Sequence, residues 1–149
     1  QQLLDQFNSI LQTRDTARGL IVNMSDVLFD VGRYTLRPGA REKLAKVAGI
    51  ILGHPGLRIE VEGHTDSTGG DEMNMKLSVN RAQAVREYLV AQGVRSENVT
   101  SKGFGKTMPV ADNGNAAGRQ MNRRVELVVS GEVIGTRITS IRTSSKPQE

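Results

Sequence analysis

The 149-residue chain contains no cysteine and no tryptophan, and aromatic residues make up only 3% of it. Without cysteine it forms no disulfide bond and has no thiolate metal site. With so few rings, its core must be built from Leu, Ile, Val and Ala. The scarcity of rings also argues against nucleic-acid binding, because single strands are stacked on aromatic side chains.

The chain also lacks a strong charge bias and long apolar runs. It has 20 Lys and Arg against 16 Asp and Glu, a formal net charge of +4. This mild basicity is scattered, apart from the pair Arg123 and Arg124, and forms no stripe suited to a nucleic acid. No apolar run could span a bilayer, and no signal-peptide pattern is present. Because the chain starts at Gln1, we expect a fragment of a longer protein whose membrane anchor lies upstream.

Residues 1–18 show helical spacing and predict an N-terminal helix. The spaced positions are Leu3, Phe7, Ile10, Arg14 and Ala17. Steps of four and three residues are typical of a coiled-coil seam. Two interpretations stay open: the end of an upstream coiled coil that could support a homo-oligomer, or an amphipathic helix packed on the domain. Gly19 is expected to end the helix.

Strands alternate with helices from residue 19 to residue 131, where we place the domain. Predicted strands are Leu20–Met24, Leu57–Gly63, Val99–Lys102 and Arg124–Ser130. Predicted helices begin at Pro38 and near Met73; the first is ended by His54-Pro55-Gly56 and the second by Gly93. Val27–Phe29 is a further short apolar run, and residues 115–121 predict a helical turn. Residues 132–149 are expected to be a mobile tail.

This order of elements predicts an α/β protein, with a mixed sheet of the βαβαβ type and helices packed on one face. Each strand–helix–strand unit is expected to be a parallel crossover. The last strand follows a short connection, which is compatible with an antiparallel direction.

Several catalytic and metal-binding patterns fail on spacing. The run Gly105-Lys106-Thr107 lacks the first glycine and the following helix of a phosphate-binding loop. His64 and Asp66 are neighbours, but His54 lies at the far end of the strand, which leaves too few ligands for zinc. A neutral His64 bonded to local backbone is the better interpretation.

Hydrolytic catalysis is not expected either. Ser67, His64 and Asp66 belong to one loop, whereas a catalytic triad needs separately positioned groups. The sequence therefore predicts no catalytic residue, no metal and no cofactor.

Asp66 and Arg81 form a more promising combination. Asp66 follows the end of a strand, where ligands bind in sheets with crossover helices. Arg81 lies about two turns into the next helix, on the side of Leu77. An acid and a guanidinium near one concavity suit a zwitterion, which offers an ammonium and a carboxylate. The alternative, an internal Asp66–Arg81 salt bridge, is equally compatible with the residues.

Four spaced blocks make the chain recognisable. They are G-H-T-D-S-T-G (63–69), N-x-x-L-S-x-x-R-A-x-x-V (74–85), G-F-G-K-T-M-P (103–109) and N-x-x-x-x-G-R-x-x-N-R-R-V-E (113–126). In this order they resemble the OmpA-like peptidoglycan-binding domain of OmpA C-termini, peptidoglycan-associated lipoproteins and MotB proteins. The resemblance covers about residues 20–130.

The resemblance implies non-covalent binding of the peptide stem of peptidoglycan through diaminopimelate, without catalysis. The aspartate and arginine that hold this amino acid in the family correspond to Asp66 and Arg81. Further ligand contacts implied by the same match are Phe29, Asp30, Thr68, Asn74 and Leu77. For Arg123 and Arg124 a rim contact to the wall and a structural pairing of the last strand are both conceivable, and the structural pairing is favoured.

The function expected from the sequence is to tether an outer-membrane or lipid-anchored protein to the cell wall. The expected location is the periplasm, with membrane contact only through an anchor outside this fragment. The alternative is a scaffold module of an envelope assembly that oligomerises through residues 1–18.

Overall fold

The computed structural model describes residues 2–25, 29–30 and 32–131. These residues form one five-stranded mixed sheet accompanied by four α-helices. The strands are β1 (Thr13–Thr16), β2 (Gly19–Ser25), β3 (Leu57–His64), β4 (Val99–Gly103) and β5 (Arg124–Gly131). The helices are α1 (Gln2–Asn8), α2 (Pro38–Leu52), α3 (Asp71–Ala91) and α4 (Ala116–Asn122). The α/β class predicted from the sequence is confirmed.

The strand order is β1-β2-β5-β3-β4, so the last strand of the chain lies at the centre of the sheet. β5 runs antiparallel to both of its neighbours, β2 and β3. β2 and β3 therefore point the same way, but β5 lies between them. β3 and β4 are directly paired and parallel, and α3 makes the connection between them. The antiparallel direction of the last strand is thus observed.

The core lies between one face of the sheet and the helices α1, α2 and α3. Alternation along β3 directs Leu57, Ile59 and Val61 into it, each no more than 2% exposed. α2 and α3 contribute apolar side chains at helical spacing, including Leu44, Val47, Ile51, Ala82, Val85 and Leu89. Burial of these aliphatic groups is the main stabilising term, as the lack of aromatic residues requires. None of the helices in the described ranges combines the length and apolar character needed to cross a membrane.

The predicted helix over residues 1–18 is wrong beyond its first half. α1 ends at Asn8, and residues 13–16 form the edge strand β1, paired antiparallel with β2. Gly19 does not end a helix; it closes a tight turn opposite Thr16 and has a φ of 129°. The error has a physical cause, because an edge strand is held by backbone hydrogen bonds and needs no alternating apolar side chains.

The side chains of Leu3 and Phe7 are buried in the core, at 5% and 0% exposure. The interpretation of this segment as a helix packed on the domain therefore fits α1. The extension of α1 into an upstream coiled coil stays a prediction. Residues 27 and 28 of the predicted apolar run, and the predicted tail 132–149, lie outside the described residues.

α3 lies unusually close to the end of β3, and Gly63 makes this approach possible. A Cβ atom at Gly63 would overlap the backbone carbonyl of Ser78 on α3. The hydroxyl of Ser78 in turn accepts a hydrogen bond from the backbone N–H of Gly105, over 2.9 Å. The first turns of α3 are thereby fixed against the loops that follow β3 and β4.

Candidate ligand-binding site

Asp66 lies in the loop after β3, and two donors hold its carboxylate. Oδ1 accepts a hydrogen bond from the backbone N–H of Thr68 over 2.8 Å, and Oδ2 lies 2.6 Å from Nη1 of Arg123. Burial alone would raise the pKa of Asp66, but these two donors outweigh it and hold the pKa below its usual value. The carboxylate is therefore ionised at neutral pH and attracts cations.

Asn74, in the first turn of α3, ties the Asp66 loop to the helix. Its Nδ2 donates to the carbonyl of Thr68 over 2.9 Å and to the carbonyl of Asp66 over 3.4 Å. Asn74 is buried, whereas the Thr68 residue is exposed. Asn74 thus holds the backbone of the loop against α3, while the side chain of Thr68 faces solvent.

Arg81 is buried under the segment that follows β2. Its Nε donates to the carbonyl of Arg33 over 2.8 Å, and Nη2 lies 3.5 Å from the carbonyl of Asp30. The guanidinium carbon lies 4.7 Å from the centre of the Phe29 ring, a cation–π contact. Arg81 is only 3% exposed, so the surrounding residues fix the orientation of its guanidinium group.

The predicted site residues therefore converge on one side of α3. Asn74 and Arg81 are seven residues apart, which places them on the same side about 10 Å apart along the axis. Leu77, half-buried, lies between them in sequence. One end of this stretch carries the Asp66 loop and the other carries Phe29 and Asp30.

The alternative of a direct Asp66–Arg81 salt bridge is not observed among the described residues. The guanidinium on the Asp66 carboxylate belongs to Arg123. Asp30, expected as a second acceptor, has a side chain that is 60% exposed and lies 3.7 Å from Nε of Arg37. Asp30 thus meets Arg81 through its backbone carbonyl.

The structural interpretation of Arg123 and Arg124 is confirmed. Arg124 donates to Glu126 and to the carbonyls of Asn122 and Met108, which fixes the start of β5. Arg123 joins the start of β5 to the Asp66 loop. Its contact with Asp66 itself was missed from the sequence, since nothing in a chain pattern links residues 57 positions apart.

Asn122, also missed, organises the loop that faces the site. It is completely buried at the end of α4. Oδ1 accepts from the backbone N–H groups of Val110 and Ala111, while Nδ2 donates to the carbonyl of Ala111 and to Oδ1 of Asn113. Asn113 Oδ1 is also 3.3 Å from the backbone N of Ser67, so this network reaches the Asp66 loop.

His64 departs from its predicted local hydrogen bonding. The residue is 3% exposed, and among the described residues neither ring nitrogen has a hydrogen-bond partner. Its ring stacks on Phe104, with centroids 5.2 Å apart. Burial, followed by the nearby charge of Arg124, lowers the pKa of His64 to about 4. The expected neutral state therefore holds, but the expected backbone bond does not form.

A family model described as the OmpA family matches residues 28–123. This is more than half of the chain, so the chain belongs to the OmpA family. The family predicted from the four sequence blocks is confirmed.

Proteins and structures similar to the chain agree with this family. "Probable lipoprotein YiaD" of Escherichia coli is 40% identical over 112 residues, 74% of this chain and 51% of YiaD. "Peptidoglycan-binding protein ArfA" of Mycobacterium tuberculosis is 41% identical over 96 residues, 64% of this chain and 29% of ArfA. The crystal structure of the peptidoglycan-associated lipoprotein from Burkholderia pseudomallei matches with a TM-score of 0.66 and 31% identity, over 72% of this chain and 89% of that one. The chain thus spans about half of YiaD and less than a third of ArfA.

Proposed function

We propose that this chain binds peptidoglycan non-covalently and without catalysis, and so tethers an envelope protein to the cell wall. Membership in the OmpA family supports this, as do two relatives whose names refer to peptidoglycan. The observation that carries the proposal is the placement of an ionised Asp66 and a buried Arg81 along one side of α3. This gives one negative and one positive pole on a rigid support.

The proposed ligand group is the diaminopimelate of the peptide stem. Its free amino-acid end carries an ammonium for Asp66 and a carboxylate for Arg81, the latter in a two-pronged hydrogen bond. The contacts of Arg81 to Arg33 and Phe29 orient the guanidinium in advance, so less side-chain freedom is lost on binding.

The other proposed contacts surround these two poles. Phe29 and Leu77 would contact the aliphatic stem of the ligand, while Thr68 and Asn74 lie at the loop end. Asp30 would add an acceptor at the Arg81 end. The proposed location is the periplasm beside the outer membrane, where peptidoglycan is found.

The scaffold alternative depends on a seam in residues 1–18. Burial of Leu3 and Phe7 inside the domain removes two of its apolar positions. Residues 13–16 form strand β1, so the later half of the predicted seam is not helical. Wall binding is therefore the better supported function.

Co-sedimentation with purified sacculi tests the proposal. Asp66→Ala and Arg81→Ala should each lower the fraction bound, because each leaves one charge of the ligand unpaired. A cost of about 2–5 kcal/mol per contact corresponds to a loss of roughly 30-fold to several-thousand-fold in affinity. Glu72→Ala and Arg95→Ala, at exposed positions, are the matched controls. Equal sedimentation of wild type and an Asp66→Ala/Arg81→Ala double variant would refute the site.

Competition distinguishes diaminopimelate from a general affinity for the wall. Free meso-diaminopimelate should release the wild type from sacculi. Nα-acetyl-lysine amide carries an ammonium on a similar aliphatic stem but has no free carboxylate, so it should release little. If both compounds compete equally, the carboxylate contact of Arg81 is wrong while wall binding itself stands.

A further inference from the structure

The sheet face opposite α1, α2 and α3 carries a buried ionisable cluster. Glu62 and His64 are two residues apart on β3 and so share this face. Glu126 on β5 is the direct cross-strand neighbour of Glu62. The three residues are 2%, 3% and 4% exposed. Carboxylates directly opposite each other repel, so burying this pair requires positive charge nearby.

Three potential ligand atoms of the cluster face one another. Nε2 of His64 lies 3.9 Å from Oε1 of Glu62 and 4.0 Å from Oε1 of Glu126. All three atoms lie within 4.8 Å of one another. The stacked ring of Phe104 sets the plane of the imidazole. A buried ring nitrogen without a hydrogen-bond partner is costly, and here it points at two carboxylate oxygens.

The neighbouring arginines mainly use the other carboxylate oxygens. Arg124 Nε donates to Oε2 of Glu126 over 2.9 Å, and Arg18 Nη2 pairs with Oε2 of Glu62. Arg18 Nη1 also reaches Oε1 of Glu62, over a longer 3.3 Å. Hydrogen bonds of this kind orient carboxylate ligands around metal ions. The Arg18 side chain is 51% exposed, so a bound dication could take its place beside Glu62 and keep that carboxylate compensated.

We propose that Glu62, His64 and Glu126 bind a first-row transition-metal dication such as Zn²⁺, which would join β3 to β5. One imidazole nitrogen with carboxylate oxygens is a donor set that suits Zn²⁺ and its neighbours rather than Mg²⁺ or Ca²⁺. Metal–ligand distances of about 2.0–2.2 Å require the three atoms to close in by roughly half an ångström.

A cleft borders the site on the side of Glu126. A cleft of about 550 Å³ between β1, β2 and α4 is lined by Arg14, Arg124 and Glu126, among others. Asn23, the cross-strand neighbour of Glu126, also lines it and has a buried Oδ1 without a hydrogen-bond partner among the described residues. The proposed metal site does not include Asp66 or Arg81 and does not depend on wall binding.

Titration of the metal-free, untagged full chain tests this proposal. Calorimetry should show one Zn²⁺ per chain, and Mg²⁺ should give no heat. His64→Gln and Glu126→Gln should each weaken Zn²⁺ binding by more than ~10-fold. Loss of a residue that only hydrogen-bonds to a metal ligand already lowers metal affinity by about 10-fold, and loss of a ligand should lower it more. His54→Gln is the matched control and should bind as the wild type does.

Arg18→Gln provides a test that does not depend on losing a ligand. Removal of the arginine frees Oε1 of Glu62 from a competing cation, so Zn²⁺ should bind more tightly. Co²⁺ as a probe should give a visible absorption band that is lost in Glu126→Gln. Zn²⁺ binding that is the same in His64→Gln as in the wild type would overturn the proposal, as would no binding to either the wild type or Arg18→Gln.

Discussion

Arg123 and Asp66 form an ion pair that joins residues 57 positions apart, with Nη1 2.6 Å from Oδ2. The Asp66 side chain is 9% exposed and that of Arg123 is 35% exposed. The acid of the proposed site is thus oriented by the start of β5 before any ligand arrives. A ligand ammonium would share this carboxylate with Arg123.

Arg123→Met should destabilise the fold by about 1–3 kcal/mol, because it leaves a largely buried carboxylate without its charged partner. The aliphatic part of the side chain is kept, so packing is little changed. The free energy of unfolding in urea measures this loss. Arg95→Met is the control: it breaks an exposed pair with Glu97 and should cost less than about 1 kcal/mol. Equal losses in the two variants would contradict a special role for Arg123.

The contribution of Asp66 to stability should depend on pH. Its folded-state pKa lies below the ordinary value of about 3.9, so the folded state takes up a proton less readily than the unfolded chain. The stabilisation is therefore complete above that ordinary value and is lost as the pH falls through the lower folded-state pKa. The difference in unfolding free energy between wild type and Asp66→Asn should stay constant from neutral pH to about 5 and shrink in stronger acid.

A pH-independent difference would show that the charge of Asp66 does not matter. Asp15→Asn, at an exposed position of β1, controls for the removal of an acid elsewhere.

Gly63→Ala should destabilise the protein and weaken sacculus binding together. The new Cβ would overlap the Ser78 carbonyl and force α3 away from β3, with an overpacking cost of about 1–3 kcal/mol or more. The control is Gly49→Ala, at an exposed position in α2 where a Cβ meets nothing within 4 Å. This control should stabilise by up to about 1 kcal/mol, because alanine favours a helix. Thermal unfolding and co-sedimentation with sacculi are measured for both variants. A Gly63→Ala protein with the stability and sacculus binding of the wild type would contradict the close approach of α3 to β3.

Asn122→Ala should cost about 1–3 kcal/mol or more, because it removes the partners of several backbone groups at once. Hydrogen exchange should rise at the N–H groups of Val110 and Ala111, which bind Asn122 Oδ1. Gln120→Ala, exposed on the same helix, should leave both stability and exchange nearly unchanged. Protection that persists in Asn122→Ala would mean that the loop is held by other contacts.

The sequence predicted the parts of the fold in which burial imposes a period. Alternating side chains identified β3 and β5, and helical spacing identified α2 and α3, because each directs apolar side chains to the core from one face. β1 was missed because its polar side chains carry no such period. The helix predicted across residues 1–18 was wrong for the same reason. Its helical spacing reflects burial only at Leu3 and Phe7, whereas residues 13–16 are held in β1 by backbone hydrogen bonds.

By itself the sequence determined the family, the elements of the core and the candidate poles Asp66 and Arg81, since these follow from local patterns and spaced motifs. Only the tertiary structure decided that Asp66 pairs with Arg123, that Arg81 lies against Phe29, and that Glu62, His64 and Glu126 meet. These contacts join distant positions, and the placement of β5 between β2 and β3 brings several of them together. The spacing of residues along the chain predicts which side chains are buried, whereas the order of strands in the sheet determines which buried side chains are neighbours.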